Sequence, residues 1–300
     1  MRYEVNKNID RIRNDRQHGA NQLAVEAMQT LALAAGSKAE LFEAARALIG
    51  VHPSMTVIDN AVLDMITLLS ELPEGSDLLT EASRNVSQAI AEAEEAQKHL
   101  AEQALEIIPP GKVILTLSYG NTVFGILSRC RPKRVIVAES RPRREGVEFA
   151  RLLAQEEIPA SLITEAEAAH FLPSCDLVLV GADSIGPDGS IVNKMGTHLF
   201  ALAAKSLGVP VYAAGRTQKI RRTLDVQLEQ VDPNEVNDPI PGVEIHNIYF
   251  DLTPADLITS IITEAGVFGP EEIFELQTER SRIMAELHAE ARQQEEAKRS

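Results

Sequence analysis

Tryptophan is absent from this 300-residue chain, aromatic residues make up only 4% of it, and cysteine occurs twice. The shortage of rings excludes a core built on large aromatic side chains and leaves Ala, Leu, Ile and Val to fill it, a composition that suits helices and buried parallel strands. Two cysteines, Cys130 and Cys175, exclude a disulfide framework and offer no paired metal-ligand spacing. Positive charge is also scarce: 29 Lys and Arg stand against 44 Asp and Glu, a net charge of −15. A phosphate backbone is held chiefly by excess Lys and Arg, so nonspecific nucleic-acid binding is excluded as the main activity. No window is apolar over the length a bilayer demands, and the opening MRYEVNKNIDRIRNDRQHG has no apolar signal core. These absences predict a soluble cytoplasmic protein with no membrane segment, no metal and no other cofactor.

What is present changes character at Pro109–Gly111. From Ala20 to about Leu105 the period is helical, with Leu23, Ala27, Met28 and Leu31 on one face and Ile58, Val62, Met65 and Leu69 on another. Gly36 ends the first of these helices, Ser37 and Glu40 form a capping box for the next, and His52-Pro53 marks a further boundary. After the PPG turn, short apolar runs alternate with helix-like stretches: KVILTL, RVIVAE, ASLI, DLVLVGAD, PVYAAG and NIYFD. That is the alternation of a parallel sheet, which predicts an α/β domain over 109–300 after a helical domain over 1–108. The charged stretch from Glu279 to Ser300 reads as a solvated helix.

Each well-defined run is followed at once by small or charged residues: Ser118 and Gly120, Glu139 and Arg141, Gly181 to Asp183, Gly215 and Arg216, Asp251 and Thr253. Ligands of open α/β sheets bind beyond the carboxyl ends of the strands, so these bursts are expected to face one crevice. The stretch from Val178 to Phe200, VLVGADSIGPDGSIVNKMGTHLF, carries most of the chemistry. Asp183 follows a strand, Asp188-Gly189 makes a tight turn, and Asn193 and Lys194 are expected to open a helix whose free N–H groups, with the lysine, would hold an anion such as phosphate. Singly, Asp183 is a turn residue and Lys194 a surface cation; together after one strand they define a candidate site.

GADSIGPDGSIVNKMGT resembles the signature of the family that joins the α, β and δ subunits of initiation factor 2B, their archaeal relatives, and isomerases of methylthioribose 1-phosphate and ribose 1,5-bisphosphate. DRQHGANQLA from Asp15, HPSMTVIDNAV from His52, AESRPRREG from Ala138 and FDLTPADLITSIITEAGVFGP from Phe250 resemble the family's other blocks, in the same order. The resemblance implies an N-terminal helical domain, a Rossmann-like domain after it, and a homodimer or higher homo-oligomer formed largely through the latter.

The resemblance also implies site residues. The isomerases pair a catalytic cysteine, in a T-H-C pattern, with the aspartate of GAD; this chain has Thr116-Leu117-Ser118 at the first place and keeps Asp183 at the second. A serine hydroxyl needs a dedicated base to lose its proton, which a cysteine near neutral pH does not. The initiation-factor branch has a Ser-Tyr pair here, matching Ser118-Tyr119, although it often carries Glu in place of Asp183. The phosphate loop R-G-A of the isomerases reads His18-Gly19-Ala20, and a substrate-contacting Gln is replaced by Glu145 before Gly146, while Arg141, Asn193 and Lys194 match. Two functions follow from the resemblance. One is a regulatory, non-catalytic protein of the initiation-factor-2B type that binds a phosphorylated sugar or nucleoside monophosphate and contacts initiation factor 2; the other is a sugar-phosphate aldose-ketose isomerase that uses Asp183, with Ser118 as partner. Cys130 and Cys175, the RCRPKR cluster from Arg129, and His170, His198 and His246 are read as structural or solvated residues.

Overall fold

A computed structural model describes residues 1–15, 18–73 and 75–276; the expected helix over Glu279–Ser300 lies outside the described residues. The chain forms two compact units that divide between Glu94 and Glu95. The first contains α1 (Tyr3–Asn14), α2 (Ala20–Ala34), α3 (Lys38–Leu48), α4 (Thr56–Ser70) and the start of α5 (Leu78–Ile107). The division therefore falls inside α5, and the Pro109–Gly111 turn comes directly after that helix. Leu23, Ala27 and Leu31 of α2 and Ile58, Val62 and Met65 of α4 are buried in one core, as the 3.6-residue period requires. At the start of α3 the Ser37 hydroxyl accepts the Glu40 N–H at 3.2 Å, a cap of about 1 kcal/mol. Only that half of the expected box forms, because the Glu40 carboxylate takes the backbone N–H and Nε of Arg2 instead.

The second unit follows the predicted alternation: β1 (Val113–Leu117), α6 (Asn121–Cys130), β2 (Arg134–Ala138), α7 (Glu145–Gln155), β3 (Ala160–Ile163), α8 (Ala168–Phe171) and β4 (Leu177–Gly181). It continues with β5 (Ser184–Ile185), β6 (Ile191–Lys194), α9 (Thr197–Leu207), β7 (Val211–Ala214), β8 (Phe250–Thr253), β9 (Ser260–Thr263) and β10 (Gly266–Phe268). The main sheet has the order β10-β9-β7-β4-β1-β2-β3, parallel except for the edge strand β10. Counted among the parallel strands alone, this is the 3-2-1-4-5-6 order of a Rossmann-like sheet. Its central strands are apolar on both faces and fully buried, which accounts for continuous runs such as VLVG rather than alternation.

Two sequence expectations need correction. NIYFD does not join the parallel sheet: β8 lies in a separate antiparallel sheet, β5-β6-β8, and the sixth parallel strand is β9, the SIIT run after Thr259. Asn193 and Lys194 do not open a helix either. They end β6, paired with Asp251 and Phe250 of β8, and α9 begins only at Thr197, after Gly196 has turned the chain at φ 106°. The Asp188-Gly189 turn makes β5 and β6 a hairpin, and pairing with β8 then favours extended backbone over helix.

Candidate ligand site at the strand carboxyl ends

The chain runs from β1 outward to β3 and then returns to the other side of β1 to start β4, so strand order reverses between β1 and β4. This is where an open α/β sheet forms a crevice. The two strands are paired only at Ile114↔Leu177 and Leu115↔Val178, whereas β1 stays paired with β2 through Leu117↔Ala138. Their carboxyl ends thus part, with Ser118 after one and Asp183 after the other.

Backbone strain gathers at this rim. Among the described residues five non-glycine positions have positive φ, and three of them, Ser118 (63°), Ser140 (64°) and Arg144 (62°), follow β1 or β2. Such conformations cost roughly 1–3 kcal/mol each and survive only where the surroundings impose them. The Ser118 N–H donates to Ser140 Oγ at 2.6 Å, and the buried Ser140 hydroxyl donates to the Ala138 carbonyl at 3.2 Å, so the two turns are laced together. Tyr119 sits edge-on to the buried Phe149 of α7, ring centroids 5.6 Å apart. Ser118 is held in this way from its backbone, while its hydroxyl makes no hydrogen bond among the described residues.

After β2, the Arg141 N–H donates to Glu165 at 2.9 Å and its guanidinium to the Val236 carbonyl at 3.0 Å, so its charge is directed at the long irregular segment between Arg221 and Ile248. The same segment is tied down by the Tyr249 hydroxyl, which donates to Glu235, and by Asn247, which donates to the Asp232 carbonyl at 2.7 Å. Burial, reinforced by the Glu235 carboxylate, pushes the Tyr249 phenol well above its ordinary range. Glu145 opens α7 and pairs with the buried Lys194, Oε1 to Nζ 2.9 Å, and the lysine nitrogen lies 4.5 Å from the centre of the Tyr249 ring. Asn193, also buried, donates to Thr197 Oγ1 at 3.0 Å.

Asp183 keeps part of its surface open to the crevice and is enclosed by protein elsewhere. Burial pushes its carboxyl up, against the pull of Lys219 and Lys194. Lys219 is a component that motif reading did not supply. It is buried after β7, donates to the Ala182 carbonyl at 2.5 Å, and is held below the ordinary lysine range by burial, against the attraction of Asp183. The only sequence signal was a lysine five residues past the small-residue end of a buried strand, in GRTQK.

The raised carboxyl has a consequence for stability. A folded-state pKa above the unfolded value of about 3.8 means that unfolding releases a proton across that window, so stability falls as pH climbs through it and the penalty is complete above it. The melting temperature of the wild type should therefore decline relative to Asp183→Asn as the pH rises above about 4, as followed by calorimetry. A difference that does not vary with pH would place the carboxyl in a solvated, unperturbed setting.

The expected anion site at the start of a helix beside Lys194 is not formed as predicted. Asp251 already accepts the N–H groups of Gly196 at 2.7 Å and His198 at 3.2 Å, so a carboxylate occupies the amino end of α9. His18, Gly19 and Ala20 lie in the helical unit, where Gly19 is the N-cap of α2 and Ala20 its first residue. There Asp15 accepts the His18 backbone N–H at 2.9 Å and faces its Nδ1 at 2.7 Å, which orients the ring. Cys130 and Cys175 are pushed up by burial, Cys130 to about 11. RCRPKR spans the connection from α6 to the amino end of β2, at the other edge of the sheet from Ser118. His170 stacks edge-on against Phe171, His246 lies 3.7 Å from Glu244, and no cluster of metal-ligating side chains occurs among the described residues. No helix there is long and apolar enough to cross a membrane.

A helical region followed by a Rossmann-like sheet, with a serine and an acid after the strands that flank the switch point, defines an α/β protein with a candidate site at the strand carboxyl ends. Residues 16–270 match the model of the initiation factor 2 subunit family, and the chain belongs to that family. It is similar to an eIF-2B subunit 2-like protein of Pyrococcus furiosus, 31% identical over 89% of this chain and 97% of that one. It is also similar to the ribose 1,5-bisphosphate isomerase of Archaeoglobus fulgidus, 30% identical over 92% and 93% of the two chains. Among solved structures, the eIF-2B of Pyrococcus horikoshii OT3 superimposes with a TM-score of 0.77 at 30% identity, covering 90% of this chain and 98% of that one. The 5-methylthioribose 1-phosphate isomerase of the same organism gives 0.76 at 25% identity, over 91% and 88%.

Proposed function

We propose that the protein binds a phosphorylated sugar or a nucleoside monophosphate in the crevice between β1 and β4 as a regulatory ligand, without turning it over. The observation that carries this reading is Ser118: its hydroxyl follows β1 at the parted strand ends and hydrogen-bonds to no base among the described residues. A hydroxyl in that state can hydrogen-bond a sugar but does not exchange protons with carbon at a useful rate. Asp183, Asn193 and Lys194 supply the crevice with further polar contacts and Arg141 a cation at its rim; in the helical unit, His18-Gly19-Ala20 is by itself a second candidate anion-binding element at the start of α2. On this reading the protein acts in the cytoplasm as a homodimer or larger homo-oligomer and contacts initiation factor 2.

The second reading, an aldose-ketose isomerase, draws on the raised Asp183 carboxyl, which suits a proton donor, and on the similarity to the ribose 1,5-bisphosphate isomerase. A thermal-shift series with ribose 5-phosphate, ribose 1,5-bisphosphate, methylthioribose 1-phosphate and nucleoside monophosphates, followed by product assays on each ligand that binds, separates the two. A ligand at about 100 times its dissociation constant should add about 2.7 kcal/mol of stability. Binding without product is the expected result, and conversion of any of these sugars to a ketose by the unmodified protein would replace the regulatory reading with the catalytic one.

A further inference from the structure

We infer that Glu145 is a specificity-determining residue that makes the crevice select ligands carrying one phosphate and a neutral hydrogen-bond donor over ligands carrying two phosphates. The inference rests on the reading of the crevice as a phosphorylated-ligand site. Lys194 is, with Lys219, one of the buried cations that act on Asp183, and its side chain is 6% exposed. An ammonium has three N–H donors. One goes to Glu145 Oε1 at 2.9 Å and the nitrogen also rests 4.5 Å from the centre of the Tyr249 ring, so the ammonium is already partly engaged before any phosphate arrives. The Lys194 charge is matched by that of Glu145, and at the neighbouring Tyr249 phenol the Glu235 carboxylate and the Arg143 cation oppose each other.

The other carboxylate oxygen of Glu145, Oε2, is enclosed by protein and has no hydrogen-bond donor among the described residues. An ionised carboxylate accepts hydrogen bonds and donates none, and an enclosed oxygen without a donor is costly. The Glu145 side chain as a whole is 30% exposed, so the carboxylate has room to turn that oxygen toward a ligand. A sugar hydroxyl or an amine N–H would satisfy it, whereas a second phosphate would meet a fixed negative charge. Glu145 is held in place by its neighbour: Gly146 packs its Cα against the end of β2, so closely that a Cβ there would stand 1.9 Å from the Ala138 carbonyl oxygen.

Titration calorimetry with the full chain, using ribose 5-phosphate against ribose 1,5-bisphosphate and adenosine 5′-monophosphate against adenosine 3′,5′-bisphosphate, tests this. The wild type should bind each monophosphate at least about tenfold more tightly than its bisphosphate, and Glu145→Gln should shift that ratio at least about tenfold toward the bisphosphate, one tenfold step being 1.4 kcal/mol. The isosteric amide keeps a bond to Lys194 and removes only the charge; Glu145→Ala, which should shift the ratio the same way, serves if the amide variant folds poorly. A ratio unchanged by both substitutions, or a wild type that prefers bisphosphates, overturns the role of Glu145 while leaving the crevice a phosphate site. Failure of the wild type to bind any of the four ligands would overturn the crevice reading and this inference with it.

Discussion

Ser118→Cys is expected to give a thiol that is alkylated by iodoacetamide at least about tenfold faster at pH 7 than Cys130 or Cys175, because thiolate character governs that rate. Position 118 lies two residues before Gly120, the N-cap of α6, so the sulfur would sit by the amino end of a helix, where the backbone dipole favours a negative charge. The native cysteines are the reverse case: burial opposes ionisation of both. A thiolate at the end of β1, with the raised carboxyl of Asp183 following β4, would supply an acid-base pair that the native hydroxyl does not, and such pairs are worth about 10²–10⁴ in rate. Conversion of a bound sugar phosphate to the ketose should therefore become measurable, at least about 100-fold above the background seen with the wild type. If the introduced thiol reacts no faster than the two native cysteines, the strand end does not stabilise a thiolate, and the missing sulfur is not what separates this protein from the isomerases it resembles.

Gly146→Ala should cost about 3 kcal/mol or more and remove binding of phosphorylated ligands. The added methyl would meet the Ala138 carbonyl oxygen at 1.9 Å, its carbon at 2.9 Å and Glu139 Cα at 3.0 Å, all of them backbone atoms at the end of a buried strand. No side chain can rotate away, so α7 itself must move, and Glu145, one residue earlier, moves with it from Lys194. At about 2–4 °C per kcal/mol for a chain of this class, the melting temperature should fall by roughly 6–12 °C. A melting temperature within a degree of the wild type would mean that α7 does not press on β2 as described.

How much of this was readable from the chain depends on the range of the interaction. The parallel strands could be read because KVILTL or DLVLVGAD is a run too apolar and too short for anything but a buried strand, and the small and charged residues after each run marked the edge where ligands gather. Ser118 and Asp183 were singled out as candidates in that way. IVNK was too short to reveal its own state: four residues carry no usable period, and β6 is extended because β8 comes alongside from more than fifty residues downstream. The occupation of the α9 amino end was hidden for the same reason, since Asp251 arrives on that distant strand. Lys219 and the Glu145–Lys194 pair were invisible as partnerships because motif spacing does not report which charges meet across 36 or 49 residues of chain.

The amino-acid sequence by itself determined the class of protein: a helical region, a parallel-sheet region, family membership, and a hydroxyl-bearing residue directly after the first parallel strand. These follow from local patterns, from the burial that apolar runs demand, and from residue chemistry that no fold can alter. Only the tertiary structure decided how the site is charged, by parting β1 from β4, by burying Lys219 beside Asp183, and by setting Glu145 against Lys194. Those outcomes depend on which side chains the sheet brings within a few ångströms of each other, and at that distance in a low-dielectric interior a neighbour outweighs the intrinsic preference of either group.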